Sequence, residues 1–323
     1  MRAMQIRAKL TSTALVAAVA AACCASAWAD RQRVDETKDF KSDGFVRINV
    51  VRGELKVEAW DKSRIEVSGL LDEQTEEFIF DVNGDNAEIE VKLPGHLKSW
   101  CCSDESDLVI HVPKKSSVDI SVVSTDTRVN DVQGGVEVSG VSGDVTVRNA
   151  RNRLDVTTVS GEVEVRDAKG RIELKSVSGD IDAYDLDGDI EMHSVSGNVL
   201  ARNAGDELDL ESVSGDIELS RSSYKLLTGH TISGDADVAG EMIEGGRLEF
   251  DSVSGSVRVR FDKDVDARFD LETGSGTIRN RVTSDRPVKS KYVRDETLRF
   301  VKGEGKGEVN ITTRSGDIVL SPN

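Results

Sequence analysis

The 323-residue chain sets 59 acidic against 42 basic side chains, a formal charge of -17, with 37% hydrophobic and 4% aromatic residues, 28 glycines and only 4 prolines. That hydrophobic content suits one or two folded domains and excludes a chain that is disordered throughout. The acidic balance works against phosphate backbones and anionic lipid as partners of the molecule as a whole, because its long-range field repels them; nucleic acid is not an expected partner.

Residues 1–29 read as a cleaved signal peptide. Arg2, Arg7 and Lys9 precede an apolar run from Ala14 to Ala22, and Ala27-Trp28-Ala29 places small residues before the cleavage point. A lipoprotein anchored at Cys23, after Ala20-Ala21-Ala22, is the alternative. Cleavage leaves 39 basic against 59 acidic residues. No later stretch approaches the roughly 20 apolar residues of a membrane span. The mature chain is therefore expected to lack a transmembrane segment and to reside in the periplasm or on the outer surface of a Gram-negative bacterium.

Residues 30–122 alternate apolar and polar side chains around Val46-Arg47-Ile48, Leu55-Lys56-Val57, Ile65-Glu66-Val67, Phe78-Ile79-Phe80, Ile89-Glu90-Val91 and Leu108-Val109-Ile110, which predicts short strands. They form an N-terminal β region expected to cap the repeating segment that begins at residue 123, since an open sheet edge invites aggregation. Within it Cys101 and Cys102 are adjacent and could form a vicinal disulfide or bond another chain. Two cysteines cannot build a four-ligand zinc site. His96, His111, His193 and His230 fall in no ligand-spaced group.

Residues 123–279 are the informative part, because they repeat. Val-Ser-Gly-Asp and its variants place glycines at Gly143, Gly161, Gly179, Gly197 and Gly215, each 18 residues after the last, then more loosely at Gly234, Gly255 and Gly276. Val123-Ser124-Thr125-Asp126 looks like a degenerate first copy. Inside each unit runs a period of nine: Val163, Ile172, Ile181, Ile190, Val199, Leu208 and Ile217 are all aliphatic, and Val165, Leu174, Ala183, Met192, Ala201, Leu210 and Leu219 follow two residues later on the same strand face. Val159, Ala168, Val177, Leu186, Val195, Ala204 and Val213 supply a third apolar column. Glu164, Glu173, Asp182, Glu191 and Asp209 alternate with these and should face water. So short a strand cannot bury its apolar face alone, and the units must stack.

The predicted fold is all-β: a single-stranded parallel β-solenoid of about 18 residues per coil, with coils about 4.8 Å apart and the N-terminal β region as cap. Left-handed hexapeptide repeats also have 18-residue coils, but Lys169 and Lys175 occupy the positions six and twelve beyond Val163 where that fold needs aliphatics. Calcium-binding β-rolls need a double glycine and a spaced aspartate, which no unit has.

Stacking turns letters into ladders. Ser142, Gly143 and Asp144; Ser160 and Gly161; Ser178, Gly179 and Asp180; Ser196 and Gly197; and Ser214, Gly215 and Asp216 define a structural turn ladder, with Glu162, Asn198 and Asp235 completing the acidic row. Asn149, Asp167, Asp185 and Asn203 mark a second turn, preceded by Arg148, Arg166, Tyr184 and Arg202. Asx side chains in turns bond their own backbone. The functional alternative is a divalent cation on the acidic row, or a sugar or peptide gripped by the Arg and Asx rows.

Residues 280–323 break the period with a basic insertion, eight basic and five acidic side chains over 281–308, before a last Arg-Ser-Gly-Asp at Gly316. Gly303-Glu304-Gly305-Lys306-Gly307 lacks the Ser or Thr and the strand-to-helix setting of a phosphate loop.

Ser176-Val177-Ser178-Gly179-Asp180-Ile181 with its repeats, Val112-Pro113-Lys114-Lys115 leading into Val118-Asp119-Ile120, and the closing Thr313-Arg314-Ser315-Gly316-Asp317-Ile318 resemble a bacterial family of β-strand repeats, a domain of unknown function of the DUF4097 type whose adhesin label is itself inferred. The resemblance covers about residues 40 to 321. It implies a solenoid in the cell envelope or at the cell surface, and it supplies no catalytic residues.

Carboxylate pairs occur in nearly every unit and so single out no site. No Gly-x-Ser-x-Gly, His-Glu-x-x-His or Cys-His constellation is present. The expectation is a non-enzymatic adhesin or surface scaffold with no catalytic, cofactor or metal residues, whose partner is a cell-surface glycan or an envelope protein. A periplasmic accessory or sensing protein in envelope-stress control is the alternative.

Overall fold

The computed structural model describes residues 32–95, 104–291 and 294–323. The signal segment, Cys23, His96 and the Cys101–Cys102 pair lie outside these residues. The described chain is all β. Its N-terminal region holds β1 (Arg33–Asp39), β2 (Phe45–Trp60), β3 (Arg64–Leu70), β4 (Glu77–Asn83), β5 (Asn86–Lys92) and β6 (Ser106–Pro113). The repeats follow as β7 (Ser117–Asn130), β8 (Gly135–Ser142), β9 (Val145–Arg148), β10 (Arg151–Thr158), β11 (Val163–Arg166), β12 (Lys169–Ser176), β13 (Ile181–Ser194), β14 (Val199–Ser212), β15 (Ile217–Thr231), β16 (Ala236–Ser254), β17 (Val257–Phe261), β18 (Ala267–Thr273) and β19 (Ile278–Asn280). The chain closes with β20 (Val288–Lys289), β21 (Glu296–Lys302), β22 (Gly307–Ser315) and β23 (Ile318–Pro322).

Alternation builds each coil from two short walls. Val163 and Val165 point inward from β11 while Glu164 faces outward, and Ile172, Leu174 and Ser176 point inward from β12. Val163 pairs in parallel with Val145 on one side and Ile181 on the other, and Ile172 with Leu154 and Ile190, so the register is 18 residues. The columns Val145, Val163, Ile181, Val199, Ile217 and Leu154, Ile172, Ile190, Leu208, Leu227 meet between the walls, each at most 3% exposed. In β13, β14, β15 and β16 one continuous strand runs through both walls. The looser spacing after Gly215 is absorbed by bulges, with Ile217 opposite Ala236 and Ala236 opposite Val257.

The parallel stack begins earlier than position 123. β2 is itself a coil: its first half pairs in parallel with β5 and β7, its second half with β6 and β7. β7 runs across the expected boundary at 122/123. The antiparallel strands are the cap proper: β3 on β6, β1 on β3 and β4 on β5. Arg52 of β2 ties this cap to the stack. Its guanidinium forms an ion pair with Asp72, both side chains 1% exposed, with Arg52 Nη2 3.0 Å from Asp72 Oδ1. Asp72 Oδ1 also accepts the Gln74 N–H, and the Asp72 N–H donates to the Ser106 hydroxyl.

At the far end, order in sequence and order in space part company. β22 lies in parallel between β16 and β18, and β23 between β17 and β19. Residues 307–322 therefore form an internal coil, while β18 and β19, earlier in sequence, sit outside it. β21 runs antiparallel on β18 and β20 on β21, closing the end. β20 is two residues long and follows Pro287, features that blunt a sheet edge.

Candidate binding surface

In the coils from Gly179 to Gly234 the chain turns at the repeat motif, and the turn is organised by a hydroxyl three residues before the glycine. Ser176, Ser194, Ser212 and Thr231 are buried. They accept the backbone N–H of Gly179, Gly197, Gly215 and Gly234 at 2.8, 2.9, 2.9 and 3.1 Å. Ser194 and Ser212 also donate to the carbonyls of Gly179 and Gly197 one coil earlier, at 3.3 and 3.1 Å. A buried hydroxyl is thereby satisfied in both capacities. The sequence pattern points to a serine ladder through Ser142, Ser160, Ser178, Ser196 and Ser214, and the buried ladder is a different one. Ser142 is half-buried and the other four are exposed. The signal was available, because the position three before glycine varies only between Ser and Thr from Thr158 to Thr313.

The turn glycines serve two needs, and Gly143, Gly161, Gly170 and Gly188 serve both, since a Cβ there would also stand 2.1–2.4 Å from a carbonyl oxygen of the preceding coil. Gly143, Gly161, Gly170 and Gly188 have positive φ, which glycine adopts freely. Gly179, Gly197 and Gly215 are needed for close approach alone: a Cβ there would stand 1.8, 2.0 and 2.1 Å from the carbonyl oxygen of the preceding coil's glycine. The same contact puts Gly316 on Gly255 and Gly276 on Gly316, reproducing the inverted order of the last coils.

An inward hydroxyl sends the next residue outward, and this corrects the third apolar column. Ala168, Leu186 and Ala204 are buried as expected. Val159, Val177 and Val195 are 44–45% exposed, and Val213 is half-buried. With Val123, Val141, Ile232 and Val253, all 39–47% exposed, they make an aliphatic row across eight successive coils, about 34 Å long at 4.8 Å per coil.

The acidic row runs beside it. Asp144, Asp180, Asn198, Asp216 and Asp235 each accept the backbone N–H of the equivalent residue one coil on, at 2.7–2.9 Å. These bonds relieve like-charge crowding along the row without a cation, and towards its end the second oxygens of Asp235 and Asp317 pair with Arg258 and Arg279 at 3.1 and 3.2 Å. Among the described residues no three His, Cys, Asp or Glu side chains are grouped to hold a metal ion. Near the end of the row the Thr277 hydroxyl and backbone N–H, both 2.9 Å from Asp317 Oδ1, hold the Asp317 carboxyl below the usual carboxylate range. On the first wall burial pushes the Asp182 carboxyl up, the Tyr184 hydroxyl opposing it and Asp180 and Glu164 adding to it.

The opposite corner is occupied by its own contacts. Asp131, Asn149, Asp167, Asp185 and Asn203 all take left-handed φ between 53° and 63°, which short Asx side chains tolerate. Arg166 bonds Glu164 at 2.8 Å and lies 4.2 Å from the Tyr184 ring centroid; Arg148 and Arg202 reach Glu164 and Glu218 at 3.4 Å. The clefts are shallow. One of about 270 Å³ on the second wall is lined by Arg171, Asp189, Glu191, Glu207 and Asp209. His193 stands 3.4 Å from Glu191 and 3.3 Å from Glu211 on the same wall. Another, of about 310 Å³, lies beside Trp60, Lys62, Lys114 and Lys115. The Trp60 ring is covered by His111, stacked at 4.7 Å, and by the Lys62 ammonium 4.1 Å from its centroid.

No curated protein matches this chain. Among solved structures it is similar to a putative lipid binding protein from Parabacteroides distasonis (13% identity, 90% of this chain and 96% of that one, TM-score 0.43). It is also similar to a putative adhesin from the same organism (9%, 91% and 98%, TM-score 0.34) and to a putative cell adhesion protein from Clostridium sporogenes (11%, 90% and 100%, TM-score 0.24). The sequence profile of the family described as Toastrack DUF4097 matches residues 46–247 and again 206–321, which between them span the stack from the coil of β2 to β23. The chain belongs to the Toastrack DUF4097 family.

Proposed function

We propose that the chain is an exported, non-enzymatic binding module of the cell envelope, an adhesin or surface scaffold whose partner docks along the valine corner. One observation carries this reading: an aliphatic side chain stands outward in eight successive coils, beside a row of carboxylates whose outer oxygens are free of the backbone bonds. Such a pairing of rows suits a partner that presents apolar groups flanked by cations, as an envelope protein or peptide can. A glycan would favour an open aromatic platform, and the Trp60 ring is already covered. Against catalysis weighs the regularity of the molecule, since its carboxylates recur from coil to coil and single out no pair.

The test is protease accessibility on intact and on osmotically shocked cells of the source bacterium, read with an antibody to residues 281–308, together with adherence of a deletion strain. Cleavage on intact cells with reduced adherence supports a surface module. Protection until the outer membrane is breached, with co-purification of an inner-membrane protein, would sink the adhesin reading in favour of a periplasmic accessory role.

A further inference from the structure

The aliphatic row has a spacing as well as a chemistry. Its side chains, from Val123 to Val253, recur once per coil in eight successive coils, about 4.8 Å apart. A helix laid along it advances about 5.4 Å per turn and is nearly a whole coil out of step by the end of the row. An extended strand advances about 6.7 Å between side chains on one face and is out of step by the second coil. Another stack of coils keeps step throughout. A second copy of this chain has that spacing and shares whatever twist the stack has, so two such rows can follow each other along their whole length. An interface between copies must also be self-complementary, and an aliphatic row laid against itself is.

The columns flanking the row decide how the copies align. On one side runs the acidic row, from Asp126 through Asp144 and Asp180 to Asp235, giving way to Ser256. On the other side run the outward residues two before each aliphatic, from Ser121 and Ser139 through Lys175, His193 and Glu211 to Asp251. Antiparallel copies set acidic row on acidic row. Parallel copies, related by a two-fold axis along the rods, set each acidic row on the other column of the second copy at the same level. Asp144 then meets Ser139, Asp180 meets Lys175 and Ser256 meets Asp251, while Asp216 meets a like charge in Glu211. Lys175 pairs with Glu173, and His193 lies between Glu191 and Glu211, so that column does not attract the acidic row; it spares it a like charge. We propose, on the reading of the corner as a docking edge, that its occupant is a second copy of this chain, parallel and in register, row against row.

The experiment is sedimentation velocity of the purified mature chain over a rising concentration series, under reducing conditions and at low and high salt, with crosslinking in a background of Cys101→Ser and Cys102→Ser. A dimer is expected, and because each copy carries a net negative charge it should strengthen as salt rises. Val159→Ser with Val177→Ser should raise the dimer dissociation constant at least about tenfold and leave the melting temperature near the parent's. On mild oxidation Val141→Cys should crosslink to itself, and Arg148→Cys, on the opposite corner, should not. Antiparallel rows would set Val141 against Ile232, about 24 Å from its own counterpart at 4.8 Å per coil. A monomer under all conditions, a dimer that Val159→Ser with Val177→Ser leaves unchanged, or crosslinking of Val141→Cys only with Ile232→Cys would overturn the proposal. Sedimentation decides even where the cysteine-free background fails to fold. The two readings of the corner fail separately. A monomeric parent whose adherence falls with the valine-to-serine changes keeps the docking edge and overturns the second copy as occupant; a dimer lost without loss of adherence keeps the second copy and overturns adhesion.

Discussion

A fully buried arginine is tolerable only beside a carboxylate that takes up its charge and its N–H groups, and Arg52 has Asp72. Neither was legible in the sequence. Arg52 follows Val50-Val51 as any surface arginine might, and Asp72 lies 20 residues away in a loop. Asp72→Asn keeps the shape and removes the charge, and should destabilise the fold by about 3–5 kcal/mol, measured by denaturant unfolding. A cost under about 1 kcal/mol would mean the pair is solvated in solution. Titratable groups set a second test. Asp182 has a raised carboxyl in the folded chain, so it weakens the fold at neutral pH, and that penalty fades as pH falls through its folded value. Asp317 is lowered; it contributes stability above the unfolded carboxylate range, near pH 4, and that contribution is lost as pH falls through its folded value. Asp182→Asn should therefore stabilise at pH 7 by up to about 1 kcal/mol and by nothing at pH 3, whereas Asp317→Asn should destabilise at pH 7. Melting temperatures of the two variants moving in the same direction at pH 7 would contradict the assignment.

At the scale of the element, the 18-residue coil was legible because the apolar columns at Val163, Ile172 and their equivalents recur without exception. The turn was legible only in outline. Period alone made Val177 and Leu186 equivalent; the bond from the Gly179 N–H to Ser176 turns one outward and leaves the other in the core. A hydrogen-bonded polar side chain inside and an aliphatic one outside reverses the usual preference, and hydrophobic patterning cannot see such a reversal. The glycines separate two causes that sequence also merges. Gly197 has room in φ and none in space, while Gly84 has φ +62° and no atom within 4 Å of a Cβ. Gly197→Ala should cost more than about 3 kcal/mol by forcing two coils apart, and Gly84→Ala about 1–2 kcal/mol of backbone strain. Equal costs would show that the coils are not in backbone contact at the turn.

For the whole molecule, the sequence predicts a solenoid with a separate cap at one end, and the structure uses one device at both. At the N-terminal end the chain lays down β2, leaves to make β3 and β4, and returns with β5 and β6 on the far side of β2 before β7 resumes on the near side. At the C-terminal end it lays down β18 and β19, turns back through β21, and returns with β22 and β23 on the inner side. Copy number along the chain is blind to such excursions, because a coil stacks on whichever neighbour matches its glycine and its apolar columns. The result is a rod whose ends are covered by antiparallel strands and whose long corner keeps one aliphatic row in water.

Whether that row is a docking edge is read from thermal unfolding and cell adherence compared for the parent and for a chain with Val141, Val159, Val177 and Val195 all changed to Ser. Exposed substitutions of this kind cost within about 0.5 kcal/mol each, so the variant should unfold near the parent temperature, and if the corner is the docking edge it should restore little of the adherence lost in a deletion strain. Parent-level adherence by the folded variant would show that the partner docks elsewhere.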